Sequence, residues 1–521
     1  MKTLTISPYD GLNKRFPEQK LTSKKAQFCQ ELKNLICLDF KISKFVGARR
    51  YNDTATAGSV RWAKRIYYDE GGDKKRYQFT IIGNKIYRGH DTDGTITQVF
   101  INGSLDTVIE TAEPPIDASL KVSGVVSTFL VDGKYYYKFN GASDGSWEQL
   151  PIKEDIDGNN IEPIYIVEYL DRMWTLVKNR NVLIGSNNLN PEIMNDATDS
   201  VLIELPPGNG GFPQSLIVHR GFLYVVHEDY IAPLSGSSPA TFGVRPGDII
   251  HGFGTRARKS VVNMRTKFAF LNSADNEWYF SSGTLDSTEK SPFSYPIKFS
   301  SLVNPTKASQ TVAVLDQTLN SIRCSYVHSG EFYLDAEVIF SITEDKWCAE
   351  TRGRKISCYS PWYGNGDQGE MITGRSETGL LMVEDKNEFN FDSASITVKL
   401  VTATYVVSDI GEVQFGELIT HFKSIGTHSI NVFYYMDTRL SSYGSNAMSA
   451  QGEVLNVGLI EIANQGMFAN RGNFQIDRRR GFGIRFEIDM EFLNKDFEIY
   501  DMFATYEQME TTRFSKYIHG A

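Results

Sequence analysis

The sequence predicts an all-β protein, a β-propeller of about six blades followed by a C-terminal β-sandwich. Three observations carry this. From about residue 60, short runs rich in Val, Ile, Tyr, Phe and Thr are broken by Gly, Asp, Asn and Pro, the chemistry of strands and tight turns. A strand–turn–strand unit then recurs at blade-sized intervals, and near residue 390 the rhythm changes to longer strands with clean apolar/polar alternation. With 43 Gly, 26 Tyr and 32 Phe in 521 residues, the composition supplies many turns and many aromatic strand positions.

Residues 1–60 carry the least pattern and are expected to form an N-terminal arm. Within it, KKAQFCQELKNLICL (24–38) places Phe28, Leu32, Leu35 and Ile36 at the spacing of one helix face, so a short helix is expected there. Residues 61–390 are assigned to the propeller. FTIIGNKIYRGHDTDGTITQVF (79–100) and STFLVDGKYYYKFNGASDGSWEQL (127–150) share one form: apolar strand, Gly turn, aromatic strand, Asp-Gly turn, third strand. The two-strand core returns at 163–179, 215–229, 260–280 and 322–340. Its anchors Tyr87, Tyr136, Trp174, Tyr224, Ala269 and Tyr333 are spaced by 49, 38, 50, 45 and 64 residues. A blade's apolar faces are buried only against neighbouring blades, so the repeat implies a closed ring. GLLMVEDKNEFNF (379–391) supplies either the last strand or part of a seventh blade, and two sandwiches in tandem would also give many short strands. Residues 391–521 are assigned to the sandwich and tail; in GFGIRFEIDMEF (481–492), Ile484, Phe486, Ile488 and Met490 face one way and Arg485, Glu487, Asp489 and Glu491 the other.

Charge and chemistry narrow the function classes. Lys+Arg 54 against Asp+Glu 63 leave a net −9, unlike the basic face of a sequence-specific DNA binder. Five cysteines with no C-x-x-C pair read as free thiols, and no apolar stretch is long enough for a secretory signal or a membrane span, so stable membrane insertion is not expected. Nucleotide-loop, nucleophile-elbow and zincin motifs are missing, and the eight His lack metal-ligand spacing. No catalytic residue, cofactor or metal site is therefore assigned, and the protein is expected not to be an enzyme. Ala142-Ser143-Asp144-Gly145-Ser146-Trp147 resembles a shortened sialidase-type Asp turn, but its simplest reading is an Asp-Gly turn with a packed Trp. Asp155 to Glu162 offers oxygens as a calcium loop does, without the span that places a bidentate Glu, and reads as a solvated turn. Two basic clusters are candidate partner or subunit contacts: Arg256, Arg258 and Lys259 in GFGTRARKS, and Arg478, Arg479 and Arg480 before the strand at Gly481.

The order of parts resembles the tail-nozzle and packaged-DNA-stabilisation proteins of short-tailed bacteriophages. The likeness is carried by a polar arm with GLNKRF near residue 11, degenerate blades, and a Trp-bearing strand pair, AEVIFSITEDKWCAE (336–350). FGELITHFKSIGTHSINVFYYMDTRLSSYG (415–444) and the arginine-rich turn with final strands, NFQIDRRRGFGIRFEIDMEFLNKDFEIYDMFATYE (473–507), continue it. The resemblance implies a structural virion protein of the tail, assembled in the host cytoplasm as a homohexameric ring below portal and adaptor. It would retain packaged DNA and form the channel for its ejection, with tail fibre, spike or plug proteins as further neighbours. Genomic DNA would pass without sequence-specific binding, a task that an acidic balance suits because few phosphates are gripped. The alternative is a carbohydrate-binding or sialidase-like propeller, suggested by aromatic richness and the partial Asp turn.

Overall fold

A computed structural model describes residues 2–6, 8–14, 21–22, 29–70, 73–89, 94–122, 125–142, 144–284, 288–363, 369–385, 388, 390–392, 394–407, 413–425, 427–436, 444–451, 470–475, 480–481, 483–492 and 496–508. Strands dominate; the one α-helix among the described residues is the single turn Phe299–Leu302. The chain forms two units, one of Arg50–Glu337 with Gly353–Glu384, the other of Met1–Arg49, Val338–Arg352 and Asp385–Ala521.

The unit built on Arg50–Glu337 is a β-propeller whose described residues form seven antiparallel strand sets in chain order; six are separate sheets, and the sixth set, starting with Val312–Asp316 and Ser321–Val327, is the end of an eleven-stranded sheet. Their first strands are Val60–Glu70, Ile116–Val122, Pro163–Tyr169, Pro213–His219, Val262–Asn263, Val312–Asp316 and Ile356–Tyr363. Between six and seven blades, which the sequence left open, the described residues form seven: the last is Ile356–Tyr363, Gly369–Arg375 and Leu381–Asp385, with Gly47–Arg50 paired to Leu381–Asp385 as its fourth strand. First strands of successive sheets are neighbours around the ring, so they are the inner strands that line the channel.

Each interface between blades is an apolar core of its own. Trp62, Phe79 and Ile81 of the first blade pack with Leu130, Phe139 and Trp147 of the second. Phe129 and Tyr136 meet Ile166 and Met173 of the third, and Trp174 and Leu176 meet Leu216 and Val225 of the fourth. Ile217 and Val226 meet Phe268 and Phe270 of the fifth. The seventh blade closes on the first through Cys358, Ile372 and Leu381 against Val60, Ala63 and Ile82. Residues just ahead of the first blade seal this closure: Tyr51 N donates to Leu381 O at 2.8 Å, and the buried Asn52 side chain accepts from Leu381 N at 2.7 Å and donates to Gly379 O at 2.9 Å.

A buried ionic network joins the sixth and seventh blades. The Arg323 guanidinium donates to Glu337 Oε1 (2.7 Å), to Glu384 Oε2 and Oε1 (2.6 and 2.7 Å) and to Asp316 Oδ2 (3.3 Å). Arg354 pairs with both Glu337 and Glu384, and Tyr359 Oη donates to Glu337 Oε1 at 2.8 Å. Burial alone would push the Glu384 carboxyl up, but the Arg323 and Arg354 guanidiniums win and hold it down at about 2.

The other unit is a β-sandwich of two sheets. One runs Asn470–Gln475, Val413–Ile425, Asp496–Gln508, Lys41–Lys44, Leu35–Leu38, with Lys2–Ile6 paired to Asp496–Gln508 and Arg480–Gly481 to Val413–Ile425. The other contains Leu21–Thr22, Tyr405–Val406, Gly483–Phe492, Ile396–Thr402, Cys29–Lys33 and Lys346–Arg352, with Thr427–Met436 on Gly483–Phe492. Over 484–489 the anticipated alternation is present: Ile484, Phe486 and Ile488 are buried, while Arg485, Glu487 and Asp489 are half-exposed; the side chains of Met490 and Glu491 lie outside the described residues.

Two expectations for the N-terminus are corrected. Residues 1–49 do not form a separate arm, because Lys2–Ile6, Cys29–Lys33, Leu35–Leu38 and Lys41–Lys44 are strands of the sandwich. The helix expected within 24–38 is two strands over its described part, 29–38. A bulge between Cys29 and Glu31 and a left-handed turn at Asn34 (φ 56°) break the alternation. Cys29, Leu32 and Leu35 are thereby buried at intervals that imitate a helix face. Phe28 lies outside the described residues. The sandwich likewise draws on more than 391–521, taking in Val338–Arg352 and Asp385 onward.

Arg323→Met is expected to destabilise the propeller by about 3–5 kcal/mol, because three carboxylates lose their shared cation in a dry site; urea denaturation followed by tryptophan fluorescence measures it. Glu384 titrates lower folded than unfolded, so its contribution is full above about pH 4.5 and is lost as pH falls towards 2. Unfolding midpoints between pH 5 and 2.5 should therefore fall more steeply for the wild type than for Glu384→Gln.

Candidate functional site at the channel mouth

In every blade the first strand starts at one end of the channel, so the loops leading into first strands and the turns between second and third strands share that end. There they enclose a cavity of about 680 Å³. Four cations line it, Arg61, Arg256, Arg258 and Lys259, against two carboxylates, Glu113 and Glu228. A net −9 chain thus has a mouth with two more cations than anions.

The loop 254–259 is seated by Gly254. A Cβ there would stand 2.3 Å from His227 O, so only glycine lets the loop lie against the 227–229 turn. Thr255 N donates to His227 O at 2.9 Å and Gly254 N to Asn272 Oδ1 at 3.1 Å. The turn is itself fixed by a hydrogen bond between His227 Nδ1 and Asp229 Oδ1 (2.6 Å) and by stacking of His227 on Tyr230. Burial drives the His227 pKa down, more strongly than Asp229 draws it up.

Side chains from several blades then form one polar chain. Arg256 Nε donates to Glu228 Oε2 (2.9 Å), whose Oε1 accepts from Gln214 Nε2 (3.1 Å). Gln214 Oε1 accepts from Arg258 Nη2 (3.1 Å), and Arg258 Nη1 donates to Glu113 Oε2 (2.7 Å). Glu113 Oε1 is paired with Lys178 at 3.3 Å. Arg61 donates to the carbonyls of Gly83, Glu110 and Glu113 (3.3, 2.8 and 2.5 Å), and Lys259 Nζ donates to Arg61 O at 3.0 Å. Lys259 is half-buried, and loss of water around its ammonium holds it down at about 8.

Of the basic residues singled out in the sequence, Arg256 and Arg258 are brought together here, with different roles. Arg258 is buried in ion pairs within the propeller and is not a free contact residue; Arg256 keeps 68% of its side chain exposed. Arg480 begins the short strand opposite Gln414 in the sandwich, while Arg478 and Arg479 lie outside the described residues. Glu113, Glu228 and Arg61 were not singled out because they come from distant stretches. Their shared position, in turns and at first-strand starts, becomes visible once the blades are aligned on one another.

The two weak motifs are turns. Asp144 Oδ1 accepts from Ser146 N at 2.9 Å, Gly145 takes φ 75°, and Trp147 is buried between blades; Ser143 lies outside the described residues. Asp155 is buried, accepts from Asp157 N and Asn159 N (3.0 and 2.9 Å) and pairs with Arg180 at 2.8 Å, while residues 156–160 are exposed, so the turn is solvated around a carboxylate held by protein donors. Among the described residues no cluster of three or more His, Cys, Asp or Glu could hold a metal ion, and no helix is long and apolar enough to cross a membrane. All five cysteines are buried free thiols.

No protein-family model matches the chain, and no curated protein matches it. Among solved structures it is similar to the WD40 β-propeller domain of Doa1, at 7% identity and a TM-score of 0.37, over 67% of this chain and 100% of that one.

Glu113→Ala is expected to lower stability by about 3 kcal/mol, since it strands the buried Arg258 charge. Arg256→Ala, which removes an exposed pair, should change it by less than about 1 kcal/mol. Paired denaturation curves check the contrast.

Proposed function

We propose that the chain is a structural subunit of a short-tailed bacteriophage tail nozzle, assembled as a homohexameric ring below portal and adaptor. In the virion it retains packaged DNA, provides the ejection channel, and meets fibre, spike or plug proteins. The supporting observation is the construction: a closed seven-bladed ring and a sandwich into which the first strand, Lys2–Ile6, and the last, Asp496–Gln508, are both woven. The blades and the sandwich give two stiff blocks suited to a load-bearing ring, although among the described residues the separate arm on which the resemblance partly rests is absent. Head-to-tail rings need a patch on one subunit that differs from the patch it meets.

The hairpin turns at the end of the first strands offer one. Val125, Val126, Leu170 and Phe222 are exposed at these turns in the second, third and fourth blades, at the opposite end from the cavity. Leu189 joins them, its backbone N donating to Asp171 O at 2.8 Å, and Tyr169 Oη donates to Gly221 O at 3.1 Å between the neighbouring turns. Exposed apolar side chains gathered at one end of a soluble fold mark an interaction surface. The carbohydrate reading has weaker support: both carboxylates of the cavity are taken up by protein donors, Glu113 by Arg258 and Lys178 and Glu228 by Arg256 and Gln214.

Purified protein mixed with its portal–adaptor complex should form rings in negative-stain micrographs, and Leu170→Glu with Phe222→Glu should abolish them while leaving the thermal midpoint unchanged. Persistent monomers in that mixture, or turnover of a sialidase substrate abolished by Glu113→Gln or Glu228→Gln, would replace this reading.

A further inference from the structure

The cavity's hydrogen bonds are unevenly distributed. Both carboxylates are saturated: Glu113 by Arg258 and Lys178, Glu228 by Arg256, Gln214 and the backbone N of Phe212 at 3.3 Å. The cations are not. Arg256 uses only Nε, leaving its two terminal nitrogens without a protein partner. Arg258 Nε is buried and unpartnered. Lys259 is half-buried and donates only to a carbonyl, Arg61 O, with no carboxylate within bonding distance of its ammonium. A cation held partly out of water in that condition carries a desolvation penalty that an anion would relieve. The cavity is of the size that admits a small molecule.

We propose that this mouth binds a small oxyanion carrying two negative charges, a phosphoryl or a dicarboxylate group, with the terminal nitrogens of Arg256 as a planar fork and the half-buried Lys259 as the counter-charge. A doubly charged ligand neutralises the two-cation excess, whereas a monovalent halide offers neither the charge nor paired acceptors. Binding also carries a proton signature. Arg61 and Arg258 face Lys259 as like charges, with Asp117 and the Cys358 thiol on the other side of the balance. An added anion favours the ammonium, so binding above pH 8 is accompanied by proton uptake. The inference is independent of the virion reading, since it rests on the cavity of one chain.

Isothermal titration of the full chain at pH 8.5 with inorganic phosphate and with malonate, in buffers of different ionisation enthalpy and against chloride at equal ionic strength, tests it. Saturable one-to-one binding of phosphate or malonate with net proton uptake is expected, and the better of the two assigns the ligand class. Arg256→Gln, an exposed change that leaves folding intact, should weaken it at least tenfold, and Lys259→Met should remove the proton uptake. The proposal is overturned if neither anion saturates, or if Arg256→Gln binds as the wild type does.

Discussion

A blade of three or four strands has two apolar faces and can bury neither by itself, and every other feature of the propeller follows from that constraint. Phe79, Trp147, Trp174 and Phe268 are buried because a neighbouring blade covers them, so each interface depends on the next and the last must return to the first. Closure is where such a ring is most exposed to failure. Here it is held by an apolar seam around Cys358 and Val60, by the strand Gly47–Arg50 paired to Leu381–Asp385, and by the Asn52 amide, which adds two directed bonds just after that strand. The ionic network around Arg323 stands at the adjoining junction, and its specific geometry sets register where the apolar contacts are fewer.

The channel mouth inherits its chemistry from the same arrangement. Seven inner strands start at one end, so short loops far apart in sequence converge there without any one of them needing a motif. Arg61, Glu113, Gln214, Glu228 and Arg258 come from two blades and two connecting loops, yet form a continuous set of bonds. The polar chain ties blades together at the rim as the aromatic cores do within the wall. That the cations outnumber the carboxylates there is a local property, opposite in sign to the molecule as a whole.

The fold was largely legible because turn chemistry and alternation are local signals. Asp132 shows the mechanism: its carboxylate accepts from the N–H groups of Lys134 and Tyr135 at 2.9 and 2.8 Å, fixing the Asp-Gly turn that made the second blade recognisable. The seventh blade was harder to see, since its first strand carries Pro361, a residue that ordinarily argues against a strand, and its hairpins lack Asp-Gly turns. The N-terminal strands were misread where a bulge and a left-handed Asn broke the two-residue period. The site was legible only in part: the GFGTRARKS loop drew notice as a charge run, but its partners are fixed by ring geometry, which one sequence does not display.

The pairing of Leu4 with Ala504 places the first strand beside one that leaves the ribosome some five hundred residues later. The propeller's own sheets are mostly hairpins of near neighbours and can assemble as they are synthesised, whereas the sandwich closes only once residues 496–508 have been made. Until then, the apolar side of residues 2–6 has no lasting cover. Folding is therefore asymmetric: the blades mature early, and two strands some five hundred residues apart wait for each other.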